Sequence, residues 1–245
     1  MAAVDTDEAV LAVLLRQLQL PAFAATFRAE DVRGRQEDWN LLRYLRRLCE
    51  SELEERRQRK VARLRRASGL PAEKTLETLE LKRLPTRVAR SITTLAQGDF
   101  VAQCENVLAF GHPGTGKTHA LAAIGHELIG RGYAVLFVPT FKLVQRLLVA
   151  KRDLVLDAEL KRLDRFDVVI LDDIGYVQQA QDEMEVLFTF LAERYERRSV
   201  MLTSNLVFSQ WSKIFKDPMT TAAAIDRIVH HAFILEFGGT SYRTQ

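Results

Sequence analysis

The chain has 245 residues, 47% of them hydrophobic and 27% charged, a composition typical of a globular protein with room for one α/β core and a smaller appendage. Its two cysteines exclude a disulfide framework and a cysteine metal site, and its formal net charge of +3 conceals a local excess of arginine. No apolar run could span a bilayer and the first residues are acidic, so we expect a cytoplasmic protein that contacts no membrane.

Residues 5–66 show helical spacing of apolar residues and no strand pattern, which predicts an all-helical N-terminal domain over residues 1–68. We expect a helix that begins near Asp5 or Thr6, a short helix through Phe23 and Phe27, and a longer helix over about 38–67. The second half of the long helix carries arginines without matching acids, a pattern typical of a solvated helix face or of a surface that contacts phosphates. The candidate DNA contacts are Arg56, Arg57, Arg59, Lys60, Arg63, Arg65 and Arg66.

We assign residues 69–104 to a connector, because Ser68-Gly69-Leu70-Pro71 ends the long helix and one further helix is indicated from about Thr86 to Gln97. From residue 105 to 245, apolar strand patterns alternate with helical ones, which predicts a parallel sheet with helices on both faces. The strands are expected at 106–110, 133–138, 167–173, 199–205 and 232–237. Two of the expected helices contain Trp211 with Phe215 and Thr221 to His231.

A glycine-rich loop follows the first strand and precedes a helix. Its sequence fits the pattern G-x-x-x-x-G-K-[ST], in the strand–loop–helix context that this pattern requires. Glycines let backbone N–H groups close around phosphate oxygens, and the helix N-terminus adds partial positive charge. We therefore expect ATP in this loop, with Lys117 on the β- and γ-phosphates and the Thr118 hydroxyl on Mg²⁺. The expected ATP-binding residues are Gly111, His112, Pro113, Gly114, Thr115, Gly116, Lys117, Thr118 and His119.

Polar residues end two later strands, at the edge where parallel sheets bind ligands. Asp172 and Asp173 follow four apolar residues, and Asn205 ends the next strand. We expect Asp172 to ligate Mg²⁺ with Thr118, Asp173 to orient the attacking water, and Asn205 to hold that water or touch the γ-phosphate. A turn or helix cap is the alternative for the two aspartates, and a strand-end turn for Asn205.

This order of phosphate loop, strand with paired acids and strand with a terminal polar residue is similar to that of AAA+ ATPases. More narrowly, residues 105–243 resemble the IstB-like ATP-binding proteins, the helper ATPases of insertion-sequence transposition, which are related to DnaC helicase loaders and to DnaA. Besides the phosphate loop, the resemblance rests on Val168–Tyr176, Arg194–Ser199, Leu202–Leu206, Phe208–Trp211, Asp217-Pro218, Asp226–His231 and Ser241–Arg243. The basic helix and the connector are similar to that family as well, so the resemblance covers nearly the whole chain.

The resemblance implies a role for each matching residue. Lys117 and Asp172 match the Walker A lysine and the Walker B aspartate, and Asn205 matches sensor 1. Asp173 stands where many relatives have a catalytic glutamate, and this shorter side chain implies slow turnover. Arg227 matches the arginine that a neighbouring subunit inserts toward the γ-phosphate, which makes hydrolysis depend on a homo-oligomer.

Two further features lie in the last 20 residues. The usual helical lid after the last strand is not evident, so Arg243 would have to replace a lid-borne sensor. His230 and His231 suggest a metal site, but no third ligand lies at a suitable spacing, so we expect them to pack at a helix end.

We therefore expect an AAA+ P-loop core, preceded by a smaller helical domain and without an evident C-terminal lid. The resemblance implies an ATPase that oligomerises on duplex DNA and helps a cognate IstA-like transposase in target selection. One alternative is a DnaC-like helicase loader in DNA replication, although the scarcity of aromatic residues beside the arginines disfavours single-strand binding. Another is a nucleotide-gated DNA scaffold with negligible turnover.

Overall fold

The computed structural model describes residues 6–176, 181–206 and 225–238. Contacts within the chain divide it into two units, Met1–Ala62 and Arg63–Gln245. The described part of the first unit is helical, and the second unit holds a parallel sheet flanked by helices, so the predicted fold class is confirmed. Among the described helices, none combines the length and the apolar character that crossing a membrane requires.

Three helices account for the described part of the first unit: α1 (Thr6–Gln17), α2 (Pro21–Gln36) and most of α3 (Leu41–Ser68). Pro21 begins α2, because the first position of a helix needs no N–H donor and suits the fixed φ angle of proline. α2 is longer than the short helix that the sequence predicted through Phe23 and Phe27. Leu15, Phe27 and Leu48, one from each helix, form the buried core of this unit. The first unit ends at Ala62, whereas α3 continues to Ser68. The domain boundary predicted at residue 68 therefore stays a prediction.

A buried carboxylate joins two of these helices. Glu52 of α3 accepts hydrogen bonds from the backbone N–H groups of Ala22 (2.9 Å) and Phe23 (3.1 Å), whose position in the first turn of α2 leaves them without an intrahelical acceptor. Arg56 donates to the same carboxylate (3.0 Å) and to the carbonyl of Gln19 (2.9 Å). Burial acts to raise the pKa of Glu52, but these donors outweigh it and hold the pKa below its ordinary value. Arg56, a predicted DNA contact, thus has a structural role in this unit.

The second unit begins with the connector, which contains α4 (Thr86–Leu95) and the single turn α5 (Asp99–Ala102). The strands are β1 (Asn106–Gly111), β2 (Val135–Pro139), β3 (Val168–Asp172), β4 (Ser199–Ser204) and β5 (Ala232–Phe237). Between them lie α6 (Lys117–Gly130), α7 (Thr140–Arg152), α8 (Leu156–Leu163) and α9 (Gln181–Arg194). A short helix over residues 225–229 precedes β5.

The strands lie in the order β2-β3-β4-β1-β5, and every pair of neighbours is parallel. The central strands β1, β3 and β4 are buried almost throughout, as expected for strands with helices on both faces. Because the strands all run in one direction, their carboxyl ends meet at one edge. That edge carries the glycine-rich loop, Asp172 and Asn205.

Part of the sequence prediction falls outside the described ranges. The helix expected around Trp211 and Phe215 lies there, as does Arg243. Of the helix expected from Thr221 to His231, residues 225–229 are described as helical. Within the described residues, β5 is followed only by Gly238, so no lid helix is found among them.

Arg194 at the end of α9 is buried and donates hydrogen bonds to the carbonyls of Leu163 (3.2 Å), Phe166 (2.9 Å) and Ser199 (3.0 Å). Burial lowers its pKa to about 10, which leaves it charged at neutral pH.

We expect Arg194→Ala to lower the free energy of unfolding by about 3 kcal/mol, because buried carbonyls lose their donors. Urea unfolding would measure this loss. Arg197→Ala removes two ion pairs at the surface and an exposed hydrogen bond to the carbonyl of Glu193, and it should cost less than about 1 kcal/mol. Equal costs for the two variants would contradict the structural role of Arg194.

Candidate nucleotide-binding site

Glycines shape the loop between β1 and α6, in conformations that other residues rarely adopt. Gly114 and Gly116 have φ angles of 81° and 93°. Gly111 has a φ angle of 151°, and a Cβ atom on it would lie 2.4 Å from the carbonyl oxygen of Phe237. α6 begins directly after Gly116, and the first N–H groups of a helix have no intrahelical acceptor. The loop therefore fits an anion such as a phosphate group.

The other residues of the loop differ in exposure. Thr115 is buried, and its hydroxyl donates to the carbonyl of His112 (2.8 Å), which holds the loop closed. The side chains of His112 and Pro113 are exposed. We therefore expect His112 and Pro113 to contribute to ATP binding through their main-chain atoms.

Lys117 lies at the centre of the site with its side chain almost fully buried. Its Nζ donates to the carbonyls of Gly111 (2.7 Å) and His112 (2.8 Å) and to the side-chain oxygen of Asn205 (2.8 Å). These hydrogen bonds join the glycine-rich loop to the residue that follows β4. They hold a positive charge beside the loop that is predicted to bind phosphates.

The side chains predicted to hold Mg²⁺ are in contact with each other. Thr118 Oγ1 donates to Asp172 Oδ1 (2.7 Å), and Thr203 Oγ1 donates to the same oxygen (2.8 Å). Thr140 Oγ1 donates to the backbone carbonyl of Asp172 (3.0 Å). Because Mg²⁺ prefers oxygen ligands, this hydroxyl and carboxylate fit such an ion. The sequence analysis missed Thr140 and Thr203, although Thr203 shares a strand face with Asn205 two residues later.

Asp173 and Asn205 face each other beside Lys117. Asn205 Nδ2 donates to the two carboxylate oxygens of Asp173, at 3.3 and 3.4 Å. The N–H of Asp173 donates to Thr203 Oγ1 (2.7 Å), and its backbone is left-handed, with a φ angle of 59°. Burial and the nearby carboxylate of Asp172 raise the pKa of Asp173, while Lys117 and Asn205 act in the opposite direction. Five predicted residues (Lys117, Thr118, Asp172, Asp173 and Asn205) are thus brought together.

The connector supplies a wall of this site that no sequence pattern indicated. A cavity of about 280 Å³ is lined by the loop residues Gly114 to His119 and, from the connector, by Lys74, Thr78, Leu79 and Glu80. His119 joins the two walls, since its Nε2 lies 3.1 Å from the carbonyl of Thr75 and 3.1 Å from the hydroxyl of Thr78. His119 was predicted to bind the cofactor. In this structure it lines the cavity and holds the connector against α6.

Arg227 lies apart from the group around Lys117. Its guanidinium stacks on the ring of Phe188 in α9, 4.8 Å from the ring centre. Within the described ranges, no hydrogen bond or ion pair connects it to the glycine-rich loop of its own chain. The predicted role of Arg227 in hydrolysis stays a prediction.

The seven predicted DNA contacts are all exposed on α3, but their pairing differs. Arg56 pairs with buried Glu52, Arg57 with Glu54 and Arg59 with Glu55. The expectation that the arginines lack matching acids is wrong for these three, because residues three or four positions apart share a helix face. The other four make no ion pair with any described residue: Lys60, Arg63, Arg65 and Arg66.

The histidine pair near β5 also differs from expectation. Glu196, which follows α9, lies close enough to His230 and His231 for the three to share a metal ion. The statement that no third ligand accompanies the histidines is therefore wrong. Spacing along the sequence could not reveal it, because the fold brings together segments more than 30 residues apart.

A family model described as "IstB-like ATP binding protein" matches residues 13–245. The chain belongs to this family. An insertion sequence ATP-binding protein of Sinorhizobium fredii is 43% identical to it over 97% of this chain and 80% of that protein. The IS21 ATP-binding protein of Pseudomonas aeruginosa is 34% identical over 95% of this chain and 88% of its own length. The resemblance inferred from the sequence is confirmed.

Solved structures share the fold of this IstB-like chain. The crystal structure of DnaI has a TM-score of 0.58 and 24% identity, and the match covers 70% of this chain and 96% of DnaI. AMPPCP-bound DnaA from Aquifex aeolicus has a TM-score of 0.56 and 19% identity, with 69% of this chain and 51% of DnaA covered. These likenesses show that the chain shares its fold with DnaI and with DnaA.

Proposed function

We propose that this IstB-like protein is an ATPase that assembles on duplex DNA and assists an IstA-like transposase in target selection and strand transfer. One observation carries the proposal. The Lys117–Asn205–Asp173 network lies beside the Thr118–Asp172 pair, at the sheet edge that ends in a glycine-rich loop. A phosphate-binding charge, a metal-binding pair and a water-orienting carboxylate are the groups that hydrolysis of ATP requires.

In this proposal each side chain has a separate task. Lys117 exchanges some of its carbonyl acceptors for phosphate oxygens, with which an ammonium group makes stronger, charge-assisted hydrogen bonds. Thr118 and Asp172 would hold Mg²⁺, which would supply positive charge to the phosphates. Asp173 accepts a hydrogen bond from the attacking water, and Asn205 holds that carboxylate in place. Because aspartate reaches less far than glutamate, turnover is slow.

The proposed active site is completed by a neighbouring subunit. Arg227 is held over Phe188 and makes no described contact with its own loop, so we assign it to the γ-phosphate of an adjacent chain. ATP then bridges subunits and favours a homo-oligomer. Assembly would bring many copies of α3 to one DNA, so that weak phosphate contacts add up to a tight and salt-sensitive grip.

Steady-state ATP hydrolysis, measured with and without duplex DNA, tests the proposal. We expect slow, Mg²⁺-dependent turnover that duplex DNA increases, and an Asp173→Asn variant that still binds ATP but turns over at least about 100-fold more slowly. Negligible turnover under every condition would contradict the proposed ATPase and favour a nucleotide-gated scaffold. Stimulation by single strands alone would favour a helicase loader.

The exposed basic residues without an acidic partner should contribute most to DNA binding. We expect the triple variant Lys60→Ala, Arg63→Ala, Arg66→Ala to bind duplex DNA at least about tenfold more weakly. The slope of log K against log salt concentration should become less negative by about 2 to 3, because each lost phosphate contact releases about one counterion fewer on binding. Fluorescence anisotropy with ATP over a salt series would measure both quantities.

A matched variant distinguishes the effect of this surface on DNA binding from the effect of net charge alone. Arg33→Ala, Arg35→Ala, Arg46→Ala removes the same charge from other exposed arginines, each of which has an acidic partner. Its affinity and salt slope should stay close to those of the wild type. If both triple variants lose the same affinity, the basic segment of α3 is not the DNA-binding surface.

A further inference from the structure

Three metal-ligating side chains meet outside the nucleotide site, between the end of α9 and the start of β5. Glu196, His230 and His231 each place one donor atom within 4.8 Å of the other two. They are the one such group of His, Cys, Asp or Glu in the part of the chain that the structure describes. All three side chains are exposed, so an ion could reach them from solvent.

The backbone on both sides of the group is fixed by hydrogen bonds. Buried Asn106 donates from its N–H to the carbonyl of His231 (3.0 Å) and from Nδ2 to the carbonyl of Ile228 (3.1 Å). On the other side, the N–H groups of Arg197 and Arg198 both donate to the carbonyl of Arg194 (3.0 Å each). The backbone positions of the three residues are therefore set before an ion binds, and only the side chains have to move, which limits the entropy lost on binding.

Tyr195 contacts one of the three candidate ligands. Its hydroxyl lies 3.0 Å from Nδ1 of His230. When a metal ion is bound by Nε2, Nδ1 carries the proton and donates a hydrogen bond to this hydroxyl. That tautomer leaves the lone pair on Nε2 free for a metal ion, which is how outer partners usually orient a ligating histidine.

Charges of both signs lie around the group. Glu196 has no ion pair with any described residue, and Asp226 adds a second carboxylate in the helix that precedes His230. The opposing charges are engaged elsewhere: Arg197 pairs with Asp164 and Glu193, Arg198 pairs with Asp167, and the guanidinium of Arg227 is held over the ring of Phe188. The group thus joins two imidazoles and one unpaired carboxylate.

We propose that Glu196, His230 and His231 bind one Zn²⁺ ion, with water or a donor from another subunit in the fourth position. Two histidines and one glutamate are a ligand set that zinc accepts, with bonds of about 2.0–2.2 Å. Because the donor atoms are up to 4.8 Å apart, the exposed side chains must close by about 1–1.5 Å, which rotation about their side-chain bonds allows. The ion would tie the end of α9 to the helical segment that carries Arg227.

Metal binding to the full-length chain without a histidine tag tests the proposal directly. Calorimetry should give one Zn²⁺ per chain, and Co²⁺ as a probe should give the visible absorption of a nitrogen- and oxygen-ligated site. We expect His231→Gln and Glu196→Gln each to weaken Zn²⁺ binding at least about tenfold. Tyr195→Phe should weaken it about tenfold, because the hydroxyl that hydrogen bonds to Nδ1 of His230 is lost.

Two matched controls exclude other donors. His126→Gln removes a histidine that hydrogen bonds to the carbonyl of Pro71, and Cys49→Ser removes an exposed thiol. Both variants should keep the Zn²⁺ affinity of the wild type. Absence of one-to-one binding, or equal affinity in His231→Gln, Glu196→Gln and the wild type, would overturn the proposed site.

Discussion

Replacing Lys117 with alanine should lower the affinity for ATP at least about 100-fold and abolish ATP-dependent assembly. The expected size follows from charge-assisted hydrogen bonds worth about 1.5–3 kcal/mol each, of which the ammonium group would make two with the phosphates. Binding of a fluorescent ATP analogue and sedimentation with and without ATP would measure the two effects. Assembly equal to that of the wild type would contradict the account.

The control for Lys117→Ala must separate lost binding from lost folding. The side chain is buried and bonded to three acceptors, so its removal also leaves polar groups without a donor. Thermal unfolding without nucleotide shows whether the variant is folded. Lys161→Ala removes an exposed lysine from α8 and should leave ATP affinity and assembly unchanged.

Replacing Arg227 with alanine should lower ATP turnover about 1,000-fold in the assembled protein, while each chain keeps its affinity for ATP. The reason is that an arginine supplied by a neighbour stabilises charge that develops only in the transition state. ATP binding and steady-state turnover, measured at a protein concentration that supports assembly, would distinguish these effects. Equal turnover in Arg227→Ala and the wild type would exclude the assigned role.

Mixing two inactive variants tests whether Arg227 acts on another chain. A Lys117→Ala subunit cannot bind ATP but carries an intact Arg227, which can complete the site of a neighbouring Arg227→Ala subunit. Only interfaces whose ATP is bound by an Arg227→Ala subunit should form, and in an equal random mixture about half of these receive the intact Arg227 of a Lys117→Ala neighbour and regain activity. If the mixture assembles but restores no turnover, Arg227 acts within its own chain or not at all.

The sequence predicted the features of the second unit that depend on local pattern. The apolar runs that become β1, β3 and β4 are buried on both faces, and such runs are recognisable from composition and length. The glycine-rich loop was predicted because its backbone conformation excludes other residues, as Gly111 illustrates against Phe237. Because parallel strands share a carboxyl edge, the meeting of Asp173 and Asn205 also followed from topology.

The features that were missed depend on contacts between distant segments. Thr78 of the connector reaches His119, 41 residues later, and no periodic pattern encodes that approach. Glu196 reaches the two histidines for the same reason. The failure to predict acidic partners for Arg57 and Arg59 has a different cause. Glu54 and Glu55, which pair with them, lie about one helical turn away and were visible in the sequence.

Binding to labelled duplex and single-stranded DNA, with ATP, with ADP and without nucleotide, over a salt series, tests the central claim most directly. The account predicts duplex binding that needs ATP and weakens steeply as salt increases, because assembly lines up many phosphate contacts. Preference for single strands, or duplex binding that does not depend on nucleotide, would contradict it.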